Sequence, residues 1–370
     1  MSVMTMVPPV ITGWSAISPF GLDADAFATG IREGRPTCAP VDHAAWPVPE
    51  ERACLVPGFD IAKLLGAKGT RTMNRATGLA VAAVGQVLGE EKLTAHASEG
   101  TAFALGTTTG SAQTMMDLTR QSFVGERPYL VEPALIPYAG MNASAARCAI
   151  RYGLKGPNTT IATGRPAGIS ALSYVRRLLA TGRAARALAG AVEEYSVARS
   201  WLHHHGKNGN GGLLGEGTAI FMVEPAVSAT RRPLATLLAT DFRACVNGDF
   251  GATVLTAVRA ALARGGVSAD EVLIASHSGA SGPAGQAERA ALAEVAGEAA
   301  ISRVPDLAEL IADAGAASAA LQIAAVLSVA QTLRTAGKAA LITSVDPDGA
   351  VACALLRLAD DTLPAGGPRE

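Results

Sequence analysis

The chain has 370 residues, 49% of them hydrophobic, with 31 basic against 32 acidic side chains for a net charge of −1. That length and apolar content exclude a disordered chain and allow either two ordinary domains or one large pseudo-symmetric one around a sizeable core. The balanced charge creates no broad field to gather nucleic acid or an anionic membrane surface, so neither is expected as a partner.

Five cysteines, Cys38, Cys54, Cys148, Cys245 and Cys353, are scattered without paired spacing. The pattern is that of reduced thiols in a cytoplasm, not of a disulfide framework or a metal site. The stretch Met1 to Pro9 has no basic run leading into an apolar one, and no window approaches the length of a membrane span. A soluble, cytoplasmic protein is expected.

In chain order, Val10-Ile-Thr-Gly-Trp14 reads as a buried strand, and Ser18-Pro-Phe-Gly21 turns the chain into a helix over about Asp23 to Arg32. A second helix is expected over Arg75 to Leu88. A short buried strand over Thr101 to Thr107 then leads to a helix from about Ser111 to Phe123. Beyond a Pro-punctuated loop come a helix over Met141 to Tyr152, a strand over Thr159 to Ala162, a helix over Ala167 to Thr181 and a strand over Arg186 to Val192. Gly217 to Val223 and Leu234 to Thr240 read as an antiparallel pair closing the first half, joined by Glu224 to Pro233.

The second half repeats the plan, with helices over Thr253 to Arg264, Ala287 to Ala296 and Ala314 to Thr335. Its strands are expected over Glu271 to Ser276, Ala339 to Thr343 and Ala350 to Leu358. This alternation divides the chain into halves 1–247 and 248–370 and predicts an α/β fold with helices between and outside two sheets. Gly209-Asn-Gly-Gly-Leu-Leu-Gly215 is glycine-rich but precedes a strand, which argues against a phosphate cradle. The tail Leu363 to Glu370 is expected to fray.

The stretch Asn158-Thr-Thr-Ile-Ala-Thr-Gly-Arg165-Pro-Ala-Gly-Ile-Ser-Ala-Leu172 runs from a strand through a tight glycine turn into a helix opened by proline. Such an elbow lifts the turn residue into a pocket. An acyl-transfer enzyme would place Ser or Cys there, because a helix N-terminus lowers a thiol pKa and offers N–H groups to an oxyanion. The residue is Arg165, whose guanidinium stays protonated and cannot attack a thioester.

Further segments follow in order: Val10-Ile-Thr-Gly with Ser18-Pro-Phe-Gly, Ile150-Arg-Tyr-Gly-Leu-Lys-Gly-Pro157, Ala187-Leu-Ala-Gly-Ala-Val-Glu-Glu194 and Gly215-Glu-Gly-Thr-Ala-Ile-Phe-Met-Val-Glu224. From Val10 to Leu358 the chain resembles the β-ketoacyl synthases of the thiolase superfamily. The resemblance implies a thiolase fold, two pseudo-symmetric βα halves in a layered α-β-α-β-α core. Members of that family carry a Cys-His-His triad.

The resemblance places Arg165 at the elbow Cys position and Ser278, in Ser278-Gly-Ala-Ser-Gly-Pro283, at the first His. His277 lies one residue earlier, so the register there stays open. Asp313, in Ala312-Asp313-Ala-Gly-Ala-Ala317, takes the second His position, and the lysine usual five residues before it is Ala308. The glycine-phenylalanine gating loop becomes Ser344-Val-Asp-Pro-Asp-Gly349. The chain is also short between Glu194 and Gly212 and between Ile301 and Ala312.

Loss of the whole triad on a retained scaffold resembles the chain length factor, the second subunit of type II polyketide ketosynthases. This implies a non-catalytic subunit paired with an active ketosynthase, an acyl tunnel at their interface, delivery of the chain on an acyl carrier protein, and no tightly bound cofactor. The short loops look more like polyene-forming, highly reducing systems than aromatic ones. In the resembling family the helix after Gly110 lines the tunnel, and its matching face here reads Ala112, Met115, Met116 and Thr119. Ordinary core packing is the alternative for that face. The rival functions are a stand-alone acyltransferase or decarboxylase on the same scaffold, and a homodimeric scaffold pseudoenzyme.

A buried guanidinium needs an anion, so Arg165 should face Asp313 or Glu193, with Asp313 the first choice; a direct hold on an acyl carrier or a substrate carboxylate is the alternative. His203, His204 and His205 cannot all point at one ion and are expected in a surface loop, not a metal site. A Cys148–His277 hydrolase pair is a formal alternative, but Cys148 sits in a helix pattern as a small apolar residue.

Overall fold

The computed structural model describes residues 7–89, 95–206, 212–335 and 337–359. The tail expected to fray and the first six residues lie outside that set, and so do residues 209–211 of the glycine-rich 209–215 stretch. Nine strands form one mixed sheet: β1 (Pro9–Ile17), β4 (Thr101–Gly106), β5 (Asn158–Ile161), β6 (Arg186–Glu193), β7 (Gly217–Pro225), β8 (Ala235–Ala244), β9 (Val272–Ser276), β10 (Ala339–Val345) and β11 (Ala350–Leu358). A separate ribbon pairs β2 (Ala39–Pro40) with β3 (Arg52–Ala53).

The sheet order is β5-β4-β6-β7-β1-β8-β11-β10-β9. At its middle, β1 and β8 share only Val10↔Thr236 and Ile11↔Ala235, so the sheet opens there into two. Outward from this seam each half repeats one set of pairings: β1 antiparallel to β7, β7 to β6, then β6 parallel to β4; β8 antiparallel to β11, β11 to β10, then β10 parallel to β9. The first half adds β5, parallel to β4. The corresponding stretch of the second half, between Ala296 and Ser318, holds only short helical turns.

Two expectations need correction here. The antiparallel pair read from Gly217–Val223 and Leu234–Thr240 does not form, because β1 lies between β7 and β8 and pairs with both. β7 is buried on both faces and β1 nearly so, while β8 alternates buried with half-buried residues; such patterns report which faces are covered without naming the neighbouring strands. As a consequence β8, although inside residues 1–247, holds in the second half the place β1 holds in the first. The histidine run is not a loop but the end of a helix, Val197–His205, capped by Ser196, whose Oγ accepts from the Arg199 amide at 3.2 Å.

Ten of the fourteen α-helices among the described residues position the rest: α1 (Ala24–Glu33), α2 (Arg75–Leu88), α3 (Ala112–Val124), α4 (Ala143–Tyr152), α5 (Ala167–Ala180), α6 (Val197–His205), α7 (Phe250–Gly265), α8 (Gly282–Ala296), α9 (Leu307–Ile311) and α10 (Ser318–Ala330). Capping side chains fix several starts: Asn74 accepts from Thr77 at 2.9 Å, Ser111 from Thr114 at 3.2 Å and Asp249 from Ala252 at 2.9 Å.

Apolar faces then sort the helices into layers. α2 and α4 cover one side of the first half-sheet on Phe103, Leu105 and Leu188, and α7 and α8 cover the far side of the second on Leu341 and Leu355. Between the half-sheets lie α5 and α10, whose Ile169, Leu172, Leu321 and Ile323 share one core with Phe221 and Ile342. The result is the five-layered α-β-α-β-α thiolase fold. α10 is buried all round, as a helix with sheets on two sides must be. Its Gln322 amide is accommodated by donating to the Thr343 carbonyl at 3.0 Å. The two central helices touch where Gly168 meets Ala320; a Cβ at Gly168 would stand 2.6 Å from the Ala320 nitrogen. That contact brings the start of α5 beside the loop leading into α10.

Candidate functional site

β5 ends at Ile161 and the chain reverses through Gly164, at φ +64°, where any Cβ would collide with the Asp346 carboxylate. Arg165 follows and points into the seam between the halves, 8% exposed. Its Nη2 lies 2.6 Å from Asp313 Oδ2, and its backbone N–H donates to Asp346 Oδ2 at 2.9 Å. A carboxylate therefore occupies the elbow amide that an acyl-transfer enzyme would offer to an oxyanion.

Asp313 is held as firmly as its partner. Its amide donates to the Leu213 carbonyl at 3.0 Å, its carbonyl accepts from Gly215 at 2.9 Å and from Arg199 Nη2 at 3.0 Å, and its Oδ1 accepts from Gly315 at 2.8 Å. Ala312 before it adopts φ +58°, the one non-glycine residue with positive φ among those described. Backbone strain of about 1–3 kcal/mol is spent there to aim the carboxylate. Burial alone would raise the Asp313 pKa, but Arg165 and then Arg199 hold it below the ordinary carboxylate value.

The alternative partner, Glu193 at the end of β6, serves elsewhere. It accepts from Thr108 Oγ1 and from the Ala316 amide at 3.1 Å, and stands 3.9 Å from Arg199 Nε. Burial pushes its pKa up, against the pull of Arg199. Its neighbour Glu194, also raised by burial, accepts from Ser111 Oγ at 2.9 Å and from the Gln113 and Ala76 amides, so it caps the starts of α3 and α2 together.

Sequence reasoning missed a third buried acid. Glu216 takes both arms of Arg75, at 2.6 and 2.5 Å, and the Val56 and Tyr195 amides at 2.8 and 3.0 Å. Arg75 in turn lies over Phe59 and Trp46, with centroids 5.0 and 5.7 Å away. The Glu216 position inside Gly215-Glu-Gly was the available signal: an acid at the start of an apolar strand has to be paired.

Ala112, Arg165, Glu193, Arg199, His203 and Asp346 line a cavity of about 300 Å³. The predicted helix face divides. Ala112 is on the cavity wall, whereas Met115 and Met116 are 40% and 44% exposed and Thr119 is exposed too. Ser278 does not line the cavity. Its hydroxyl donates to buried Glu288 and its amide to the same carboxylate at 3.0 Å, while burial raises the Glu288 pKa. His277 also turns away, with Nε2 3.9 Å from Asp306 and Nδ1 accepting from Gly279 at 3.2 Å. Of the three proposed triad positions, the fold brings Arg165 and Asp313 together and leaves Ser278 in a network of its own.

The remaining histidines and Cys148 form no site. His204 and His205 pack against Trp201 at 5.6 and 5.5 Å, and among the described residues no cluster of His, Cys, Asp and Glu suits a metal ion. Cys148 is fully buried in the α2–α4 layer, where desolvation pushes its thiol far above its usual value, and His277 belongs to the other half. Chemically, the cavity pairs guanidinium with carboxylate and presents no thiol.

Residues 8–229 match the family described as β-ketoacyl synthase, N-terminal domain, and the chain belongs to that family. It is 26% identical over 332 residues to 3-oxoacyl-(acyl-carrier-protein) synthase 2 of Vibrio cholerae, covering 80% of this chain and 78% of the relative. Its match to the enzyme of the same name from Synechocystis sp. is 26% over 248 residues, 60% of this chain and 59% of the relative, less than two thirds of that protein's length. Among solved structures it is similar to the ishigamide ketosynthase/chain length factor, at TM-score 0.91 and 45% identity over 95% of this chain and 99% of that one. A type II polyketide acyl carrier protein–ketosynthase complex, AntDE:AntF, superposes at TM-score 0.77 with 17% identity, covering 96% of this chain and 100% of that one, a likeness of fold alone. No helix among the described residues is long and apolar enough to cross a membrane.

Proposed function

We propose that this chain is a chain length factor: a non-condensing subunit that pairs with an active ketosynthase in type II polyketide synthesis of the polyene-forming kind. One observation carries the reading. At the elbow where a ketosynthase needs a nucleophile, Arg165 is ion-paired to Asp313 at 2.6 Å and its backbone N–H is taken by Asp346. Neither a thiolate nor an imidazole pair is present to open a thioester or decarboxylate a malonyl unit.

Two surface features support pairing. β5 is an edge strand with open backbone groups. Nearby in sequence, Met115, Met116, Phe123, Val124, Tyr129 and Leu130 are exposed, more apolar surface than a lone chain usually leaves in one segment. A ketosynthase seated there, over an interface of about 2,000 Å² or more, closes α3 into one wall of an acyl tunnel beginning at Ala112. The growing chain stays on the partner's cysteine and an acyl carrier protein supplies the units.

The test is reconstitution. Purified alone and given acyl- and malonyl-carrier thioesters, the chain should form no β-ketoacyl product; with its ketosynthase it should form a stable complex that does. Turnover by the lone chain that Ser278→Ala or His277→Ala abolishes would overturn the reading.

A further inference from the structure

Residues 37–54 form a strap that leaves the core and returns to it. Its two ends run antiparallel: Ala39 pairs with Ala53, Pro40 with Arg52, and the Val41 amide donates to the Glu51 carbonyl at 3.0 Å. Opposed residues in such a ladder alternate between hydrogen-bonded and non-hydrogen-bonded pairs. Val41 and Glu51 are of the first kind, hence Ala39 and Ala53 are too, and the next pair outward, Cys38 and Cys54, is of the second. Non-hydrogen-bonded partners have Cα atoms about 4.5 Å apart and side chains on one face, within the roughly 4.4–6.8 Å that a disulfide spans.

Contacts at both cysteines bear out that placement. The Cys38 thiol is near enough to Cys54 to push its pKa up, while Cys54 Sγ itself stands 4.0 Å from the Leu310 carbonyl. The Cys38 carbonyl accepts from Arg52 Nη2 at 2.8 Å, and the Cys54 amide donates to Leu214 at 2.9 Å. Cys38 is half-buried and Cys54 buried.

We propose that Cys38 and Cys54 are a redox modification site, a dithiol that a low-molecular-weight disulfide such as oxidised glutathione converts to a cross-strand disulfide. The reachable Cys38, as thiolate, attacks one sulfur of the reagent; that S–S bond breaks and one glutathione thiolate leaves. Cys54 then gives its proton to solvent and attacks the Cys38 sulfur, expelling the second glutathione. Two protein thiols are oxidised to one disulfide and one reagent disulfide is reduced to two thiols. Burial pushes the Cys54 thiol up to about 11, so the second step is slow at neutral pH and accelerates as pH rises.

The staple closes the strap, and the strap positions α6. Trp46 packs on Tyr195 at 5.3 Å, the Pro47 carbonyl accepts from Trp201 Nε1 at 2.9 Å, and Glu50 accepts from Ser200. α6 carries Arg199 and His203 to the cavity. The inference is independent of the proposed function.

The experiment treats the whole chain with oxidised glutathione, alkylates free thiols after unfolding, and digests with trypsin; Arg52 lies between the cysteines and separates them onto different peptides. A linked Cys38–Cys54 peptide pair should appear, faster at about pH 9 than at about pH 7. It should be absent from Cys38→Ser, a half-buried position, and the oxidised wild type should melt at higher temperature than the same sample after dithiothreitol. Recovery of Cys38 only as its mixed glutathione disulfide, with Cys54 alkylated, would overturn the proposal, as would a linkage of either residue to another cysteine.

Discussion

Removing the Asp313 carboxylate tests most directly how the emptied elbow is held. Asp313→Ala leaves Arg165, 8% exposed, without the oxygen 2.6 Å from its Nη2. Stranding one member of a buried pair costs about 3–5 kcal/mol. Asp313 keeps a quarter of its side chain exposed, so water can enter the gap and the lower figure, about 3 kcal/mol, applies. With an unfolding entropy near 2 cal/mol/K per residue over this length, that corresponds to a fall in Tm of about 4 °C.

The companion variant is Arg165→Met with Asp313→Ala, which removes both charges and should recover most of the loss, since a well-packed apolar replacement of a buried pair is often neutral. Denaturant unfolding of wild type, both single variants and the double variant gives the coupling energy. Additive losses, with Asp313→Ala costing under about 1 kcal/mol, would show that the contact contributes nothing and that Arg165 is solvated in the cavity.

Three further outcomes are expected. Arg165→Cys should alkylate slowly with iodoacetamide, because Asp346 and Asp313 oppose a thiolate; adding Asp346→Ala should speed the reaction on the order of tenfold, one pKa unit's worth, and a fast single variant would dismiss the carboxylate plug. Met116→Trp, at a position exposed in the lone chain, and Ala112→Trp should shorten the products of the reconstituted pair, each excluded methylene forfeiting about 0.8 kcal/mol; an unchanged length distribution from intact complexes would remove α3 from the tunnel wall. Glu288 has a raised folded pKa, so its contribution to stability is present below its unfolded value near 4.3 and is lost as pH rises through the folded one. Glu288→Gln should therefore flatten the decline in stability above about pH 4, and a variant whose pH profile matches wild type in urea titrations would place that proton elsewhere.

Much of this arrangement was legible in the chain alone, wherever the physics is local. A capping Asn74 before a periodic apolar run sets α2 at Arg75–Leu88 as read from sequence, and the run Ala350 to Leu358 is the strand it looks like. The glycine turn before a proline locates the elbow, and an arginine there announces that an anion must stand opposite. Composition and spacing are properties of neighbours along the chain, and these features need nothing more.

What depended on the tertiary structure was every choice between distant partners. Asp313 was the first choice and Glu193 the alternative; a strained Ala312 and a ladder through Leu213 and Gly215 turned the first toward Arg165, while Thr108 and Ala316 claimed the second. β7 and β8 follow one another in sequence yet are separated by β1, because a strand's apolar pattern states which faces are buried and not which strands lie beside it. Cys38 and Cys54 show no paired spacing, but a ladder's register places them opposite each other. Ser278 and Asp313 share a proposed ancestry in one site, and a buried Glu288 holds the first away from it. Pairings of this kind span tens to hundreds of residues, and only the packed layers determine which polar group is left for which.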